Sequence, residues 1–133
     1  MSGYLMDTSV FVAAEQGRPL GDAPEGEARI SVATLTELLV GVGRAGDGAL
    51  RIVRKATLDS AGKFIALPYD EAVARRLAGL LVAAREQRRR AGAMDAIIAA
   101  TALAHGLTVW TQDGDFEVLA ELDPDLRVKG TRV

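Results

Sequence analysis

Segments with strand character and segments with helical character alternate along almost the whole chain, and this alternation limits the fold more than any other feature. Short apolar runs rich in β-branched and aromatic residues read as strands at residues 3–7, 29–32, 64–67 and 107–111, with a further one at 126–129. Between them, apolar residues recur at helical spacing over 9–15, 34–43, 48–61, 70–90, 94–105 and 115–121. Such a pattern places helices between parallel strands. The expected class is therefore α/β, a central mostly parallel sheet of four to five strands flanked by helices on both faces. Asp70, after Pro68, reads as a helix N-cap, and Gly106 as a helix stop. Residues 17–26, with two prolines and three glycines, read as a loop near the carboxyl ends of the strands.

Composition narrows the chemistry. With 133 residues and 49% apolar content the chain reads as one globular domain, residues 1–133. No run of about 18 apolar residues and no charged leader is visible, so a cytoplasmic protein without membrane attachment is expected. The absence of cysteine excludes disulfides, thiol catalysis and cysteine-ligated zinc. A single histidine, His105, excludes any two-histidine mechanism, and its place just before Gly106 suits a cation at a helix end. A formal net charge of -2 does not attract nucleic acid as a whole. Arg85, Arg88, Arg89 and Arg90 form a local exception shortly before Asp95. They read equally as a grip on phosphates or as a solvated helix end that complements the helix dipole.

Four acids interrupt or border apolar segments. Asp7 follows the first strand, Asp113 follows the fourth, Glu37 lies within 34–43, and Asp95 opens 94–105. Each has an ordinary structural use. Asp7 could N-cap a helix, worth about 1 kcal/mol. Thr34 and Glu37 match the spacing of a capping box, Asp95 is a helix-start acid, and Asp113 and Asp115 flank Gly114 in a turn. Taken together they mean more. A parallel sheet gathers strand ends at one edge, and ligands bind in the crevice there. Two carboxylates about 4 Å apart repel by roughly 4 kcal/mol at an effective dielectric near 20. Such a cluster must take up protons or a cation. An all-oxygen donor set suits Mg²⁺ or Mn²⁺ better than zinc, and carboxylate-held ions suit phosphodiester hydrolysis.

Read in order, Met6-Asp7-Thr8-Ser9-Val10-Phe11, Thr34-Leu35-Thr36-Glu37-Leu38, Asp95-Ala96-Ile97-Ile98-Ala99-Ala100-Thr101-Ala102 and Thr111-Gln112-Asp113-Gly114-Asp115-Phe116 resemble the four acidic motifs of PIN-domain ribonucleases. In size the chain resembles the VapC toxins of type II toxin-antitoxin modules. The resemblance implies a PIN fold, magnesium-dependent endonucleolytic cleavage of RNA with manganese able to substitute, a homodimer, and neutralisation by a VapB-like antitoxin. It also implies Asp7, Asp95 and Asp113 as metal ligands, Glu37 completing the cluster, and Asp115 as a second acid of the last motif. Thr8, Ser9 and Thr111 would bond these carboxylates or the scissile phosphate. Val10, Phe11, Val12, Leu35, Leu38 and Leu39 are the apolar residues expected to receive the antitoxin. Two other readings stand beside this one: a housekeeping RNA-processing nuclease, and a binding module whose acids only cap helices.

Overall fold

The computed structural model describes residues 3–130 and has the α/β architecture read from the sequence. Among the described residues, β1 (Gly3–Met6), β2 (Glu27–Ser31), β3 (Ile65–Leu67), β4 (Thr108–Thr111) and β5 (Arg127–Gly130) form one sheet in the order β3-β2-β1-β4-β5. Every neighbouring pair is parallel. Parallel strands require crossovers, here supplied by α1 (Thr8–Glu15), α2 (Val32–Arg44), α3 (Ala49–Ala61), α4 (Glu71–Glu86), α5 (Ala93–His105) and α6 (Asp115–Leu122).

Alternation along the strands splits the interior into two cores. Leu5 and Val109 face one way and pack with Val73 and Leu80 of α4, Ile98 of α5 and Phe116 of α6. Met6, Ile30 and Trp110 face the other way, toward Phe11 of α1, Leu38 of α2 and Ala61 of α3. Both faces are thus covered, which is why the central strands β1 and β4 are largely apolar and buried. From β1 the chain first builds outward through β2 and β3, then returns to the opposite side of β1 with β4 and β5. At such a reversal the connections leave in opposite directions and open a crevice at the carboxyl ends of the two strands.

One boundary differs from the sequence pattern by more than two residues. Helical spacing runs to residue 90, but α4 ends at Glu86. Arg88 takes a left-handed backbone conformation, φ 54. Its N–H donates to the Arg85 carbonyl at 3.2 Å and that of Arg89 to the Ala84 carbonyl at 2.8 Å, the paired bonds of a Schellman termination. Glycine normally fills this position because a side chain there is strained. Arg88→Gly is therefore expected to raise stability by about 1 kcal/mol in chemical denaturation. A loss of stability would mean that the arginine side chain offsets its own strain.

Candidate active site

At the end of β1 the chain turns directly into α1, and Asp7 occupies the junction with extended backbone geometry (φ -74, ψ 157). It is an N-cap, accepting from the Ser9 N–H at 3.4 Å, but that does not exhaust its contacts. The same oxygen, Oδ2, accepts from Ser9 Oγ at 2.6 Å and from Thr111 Oγ1 at 2.8 Å. A hydroxyl has one proton to give. Each of these spends it on Asp7 and turns a lone pair to the β4–α6 turn, where Gln112 N–H donates to Ser9 Oγ at 2.9 Å and Asp113 N–H to Thr111 Oγ1 at 2.8 Å. The Asp7 carboxylate, 2% exposed, thereby anchors the segment that carries Asp113. Burial pushes its pKa above the ordinary value against the lowering effect of the bonds from Ser9 and Thr111.

Glu37 is not part of a capping box. β2 runs into α2 without a loop, and Ser31 caps the helix, its Oγ accepting from the Ala33 N–H at 3.0 Å. Thr34 therefore lies inside the helix and Glu37 more than a turn from its start. Glu37 Oε1 instead accepts from Thr8 Oγ1 at 2.6 Å, and the Thr8 and Thr34 hydroxyls lie 3.2 Å apart. Thr34 and Glu37 share one face of α2 at a three-residue spacing, so both reach the first residue of α1.

Asp95 is the third residue of α5, half-buried, behind Gly92, which offers no side-chain cap. Its pKa is pushed up to about 7, first by desolvation and then by Asp7, Asp113, Glu37 and Asp115 in that order. Five carboxylates thus act on one volume. Oxygens of Asp95, Asp113 and Asp115 all lie within 4.8 Å of one another, and the Asp115 N–H donates to Asp113 Oδ1 at 2.9 Å. The tightest trio therefore draws Asp115 into the cluster. Asp7 and Glu37 stand outside the trio, coupled to Asp95 by charge. Hard oxygen donors, a surplus of negative charge and an acid driven toward protonation fit a divalent cation of the magnesium class.

The arginine stretch is dispersed. Arg89 Nη1 pairs with Glu121 Oε2 of α6 at 2.8 Å, Arg85 lies in the last turn of α4, and Arg88 and Arg90 lie exposed in the link to α5. The link does pass the acids: a Cβ on Gly92 would sit 3.8 Å from Asp95 Oδ2. On the other side of the cluster, a cleft of about 510 Å³ begins at Thr8, Glu37 and Met94 and reaches Arg44 and Arg54. Neither arginine stands out in the sequence, because they belong to separate helices. A second cleft, about 700 Å³, begins at Thr111 and Asp113 and is lined further out by Glu117 and Glu121.

Residues 4–122 match the PIN domain family. Over 117 residues, 86% of each chain, the protein is 44% identical to ribonuclease VapC5 of Mycobacterium tuberculosis. It is 38% identical to ribonuclease VapC4 of the same organism over 120 residues, 90% of this chain and 92% of that one. Among solved structures it resembles VapBC-5 from Mycobacterium tuberculosis, a member of the VapBC family of toxin-antitoxin systems, with a TM-score of 0.80, 38% identity and full coverage of both chains. The family match runs from β1 through α6 and takes in all four acidic segments, and with it this chain belongs to the PIN domain family.

Proposed function

We propose that this protein is a metal-dependent endoribonuclease that acts as the toxin of a toxin-antitoxin module by hydrolysing phosphodiester bonds in RNA. The close approach of Asp95, Asp113 and Asp115, with oxygens within 4.8 Å of one another and the charges of Asp7 and Glu37 acting on Asp95, carries the reading. Its relatives support it: two are named ribonucleases, and the structural relative comes from a toxin-antitoxin system. Asp95, Asp113 and Asp115 would hold Mg²⁺, for which Mn²⁺ substitutes, and Asp7 would complete the ligand set. When bound, such an ion supplies positive charge to a phosphodiester and acidifies an attacking water. The chain's own part is positional. Ser9 and Thr111 fix Asp7, Thr8 fixes Glu37, and the turn bonds fix Asp113 before any substrate arrives. Purified protein is expected to cleave total RNA in magnesium and to stop when the ion is chelated. Cleavage that survives chelation would overturn the metal assignment.

The partner is a VapB-like antitoxin. Val10, Phe11 and Leu38, counted in sequence as its landing surface, belong to the core. Leu39 on α2, also expected there, is exposed, as are Ile52 and Val53 on α3, the last two lining a groove of about 420 Å³ between α1 and α3 that suits an amphipathic helix. A second copy of the chain is proposed to pack on α4. Glu71, Ala74, Ala78, Leu81 and Arg85 recur at three- and four-residue spacing, and Leu81 and its neighbour Val82 are 46% and 57% exposed. Antiparallel pairing about Ala78 sets Glu71 of one protomer opposite Arg85 of its partner, twice over. Leu81→Glu is expected to yield a folded monomer in light scattering. A wild-type protein already monomeric at high concentration would remove this interface. Among the described residues no helix is long and apolar enough to cross a membrane; the proposed place of action on RNA is the cytoplasm.

A further inference from the structure

We infer that the cleft beside Glu37 is a subsite for the RNA strand, in which Arg44 and Arg54 hold a backbone phosphate next to the one being cleaved. The inference rests on the ribonuclease reading above and adds where the substrate lies.

The cleft has a polarity suited to an anionic chain. Its floor is one face of α2, made by Glu37, Val40, Gly41 and Arg44 at three- and four-residue spacing. Arg44 stands seven residues beyond Glu37 on that face, about 10 Å along the helix axis. Thr8 and Met94, the neighbours of Asp7 and Asp95, line the same cleft as Arg44 and Arg54. A volume of about 510 Å³ falls within the roughly 300–1,000 Å³ of small-ligand sites. A strand whose scissile phosphate meets the acids would therefore have its adjoining backbone led toward the arginines.

The arginines are available for that role. Arg54 Nη1 donates to the Gly41 carbonyl at 2.7 Å, which sets the guanidinium at the cleft floor and leaves most of its five donors unspent. Among the described residues neither Arg44 nor Arg54 forms an ion pair. Glu15, the acid on the α1 wall, accepts from Thr57 Oγ1 at 2.8 Å.

Gly41 leaves part of the cleft floor without a side chain. Glycine inside a helix costs about 1 kcal/mol relative to alanine. A Cβ at Gly41 would meet nothing nearer than Arg54 Cδ at 3.9 Å, ordinary contact. Internal packing does not demand the missing side chain, and its absence leaves the cleft floor open. Val12, Val40 and Met94 offer aliphatic surface to a ribose or base, and the guanidinium planes offer stacking, as unpaired RNA requires.

The test uses a short fluorescein-labelled single-stranded RNA of mixed sequence and protein made non-cleaving by Asp95→Asn, titrated in magnesium over a range of salt. In that background Arg44→Gln with Arg54→Gln is expected to weaken binding and to reduce the salt slope by about 0.7 for each phosphate no longer held. Gly41→Leu, which fills the floor with a better helix former, is expected to keep or raise Tm while weakening binding. If loss of the Gly41 bond prevents the double variant from folding, Arg44→Gln and Gly41→Leu carry the test alone. Unchanged affinity and slope in these folded variants would overturn the subsite. So would loss of antitoxin binding with RNA binding intact, which would give the cleft to the protein partner. A parent protein that binds no RNA and a wild type that cleaves none would instead bring down the ribonuclease reading itself.

Discussion

Asp7→Asn and Asp95→Asn proteins are expected to remain folded and to lose RNA cleavage in magnesium by about a thousandfold or more. Asparagine keeps the size of aspartate and one accepting oxygen, so at position 7 it can still receive the hydroxyls of Ser9 and Thr111. What it removes is charge. At position 95 the loss relieves repulsion from four neighbouring carboxylates, so the metal-free variant should melt no lower than the wild type and cation binding should weaken. Glu37→Gln is a milder case. Its side-chain oxygen can still accept from Thr8 Oγ1, and the expected loss is about 10- to 100-fold, the usual effect of disturbing a group that supports a metal site. The measurements are cleavage rate and thermal stability for all three variants. Near wild-type cleavage by folded Asp7→Asn and Asp95→Asn would reduce the acids to helix caps and end the nuclease assignment.

A large response to divalent cations that grows with pH is the second expectation. In the metal-free fold Asp95 titrates near 7 because burial, and after it the surrounding acids, disfavour its charged form. In the unfolded chain it titrates near the ordinary value of about 3.9. Between these values the native state holds a proton that the unfolded state has released. Stability from this group is thus fully present below about pH 4 and lost as pH rises through about 7. A bound cation takes over the proton's role. Magnesium or manganese should raise Tm strongly above neutrality and weakly in mild acid, and binding at intermediate pH should release protons measurable by calorimetry in buffers of different ionisation enthalpy. A melting curve indifferent to saturating manganese on both sides of neutrality, with calcium also inert, would remove the site.

The β/α alternation was legible in the sequence because the strands are short runs rich in β-branched and aromatic residues, set between longer segments of helical spacing. Boundaries were less legible where two elements share a residue. Ser31 both ends β2 and caps α2, so the capping-box spacing of Thr34 and Glu37 pointed to a helix start that the chain had already passed. Arg88, Arg89 and Arg90 continue the apolar-polar rhythm of α4, and nothing in an arginine announces a positive φ. The stop is set by backbone bonds to Ala84 and Arg85. The gathering of the acids could be argued from strand ends alone. Which oxygens come closest could not, since the place of Asp115 depends on the tight turn that begins α6. Arg44 and Arg54 were invisible as a pair, because only the packing of α2 against α3 brings them to one cleft.

β1 lies at the centre of the sheet, made first and flanked on one side by a strand made late. The bond from Thr111 to Asp7 spans 104 residues, and contacts of such long range form only after the intervening chain can close upon itself. A growing polypeptide that stops short of β4 has neither Thr111 to hold Asp7 nor Asp113 and Asp115 to complete the acidic trio. Its acidic site is therefore incomplete, and activity is expected only once β4 and the turn into α6 have been translated.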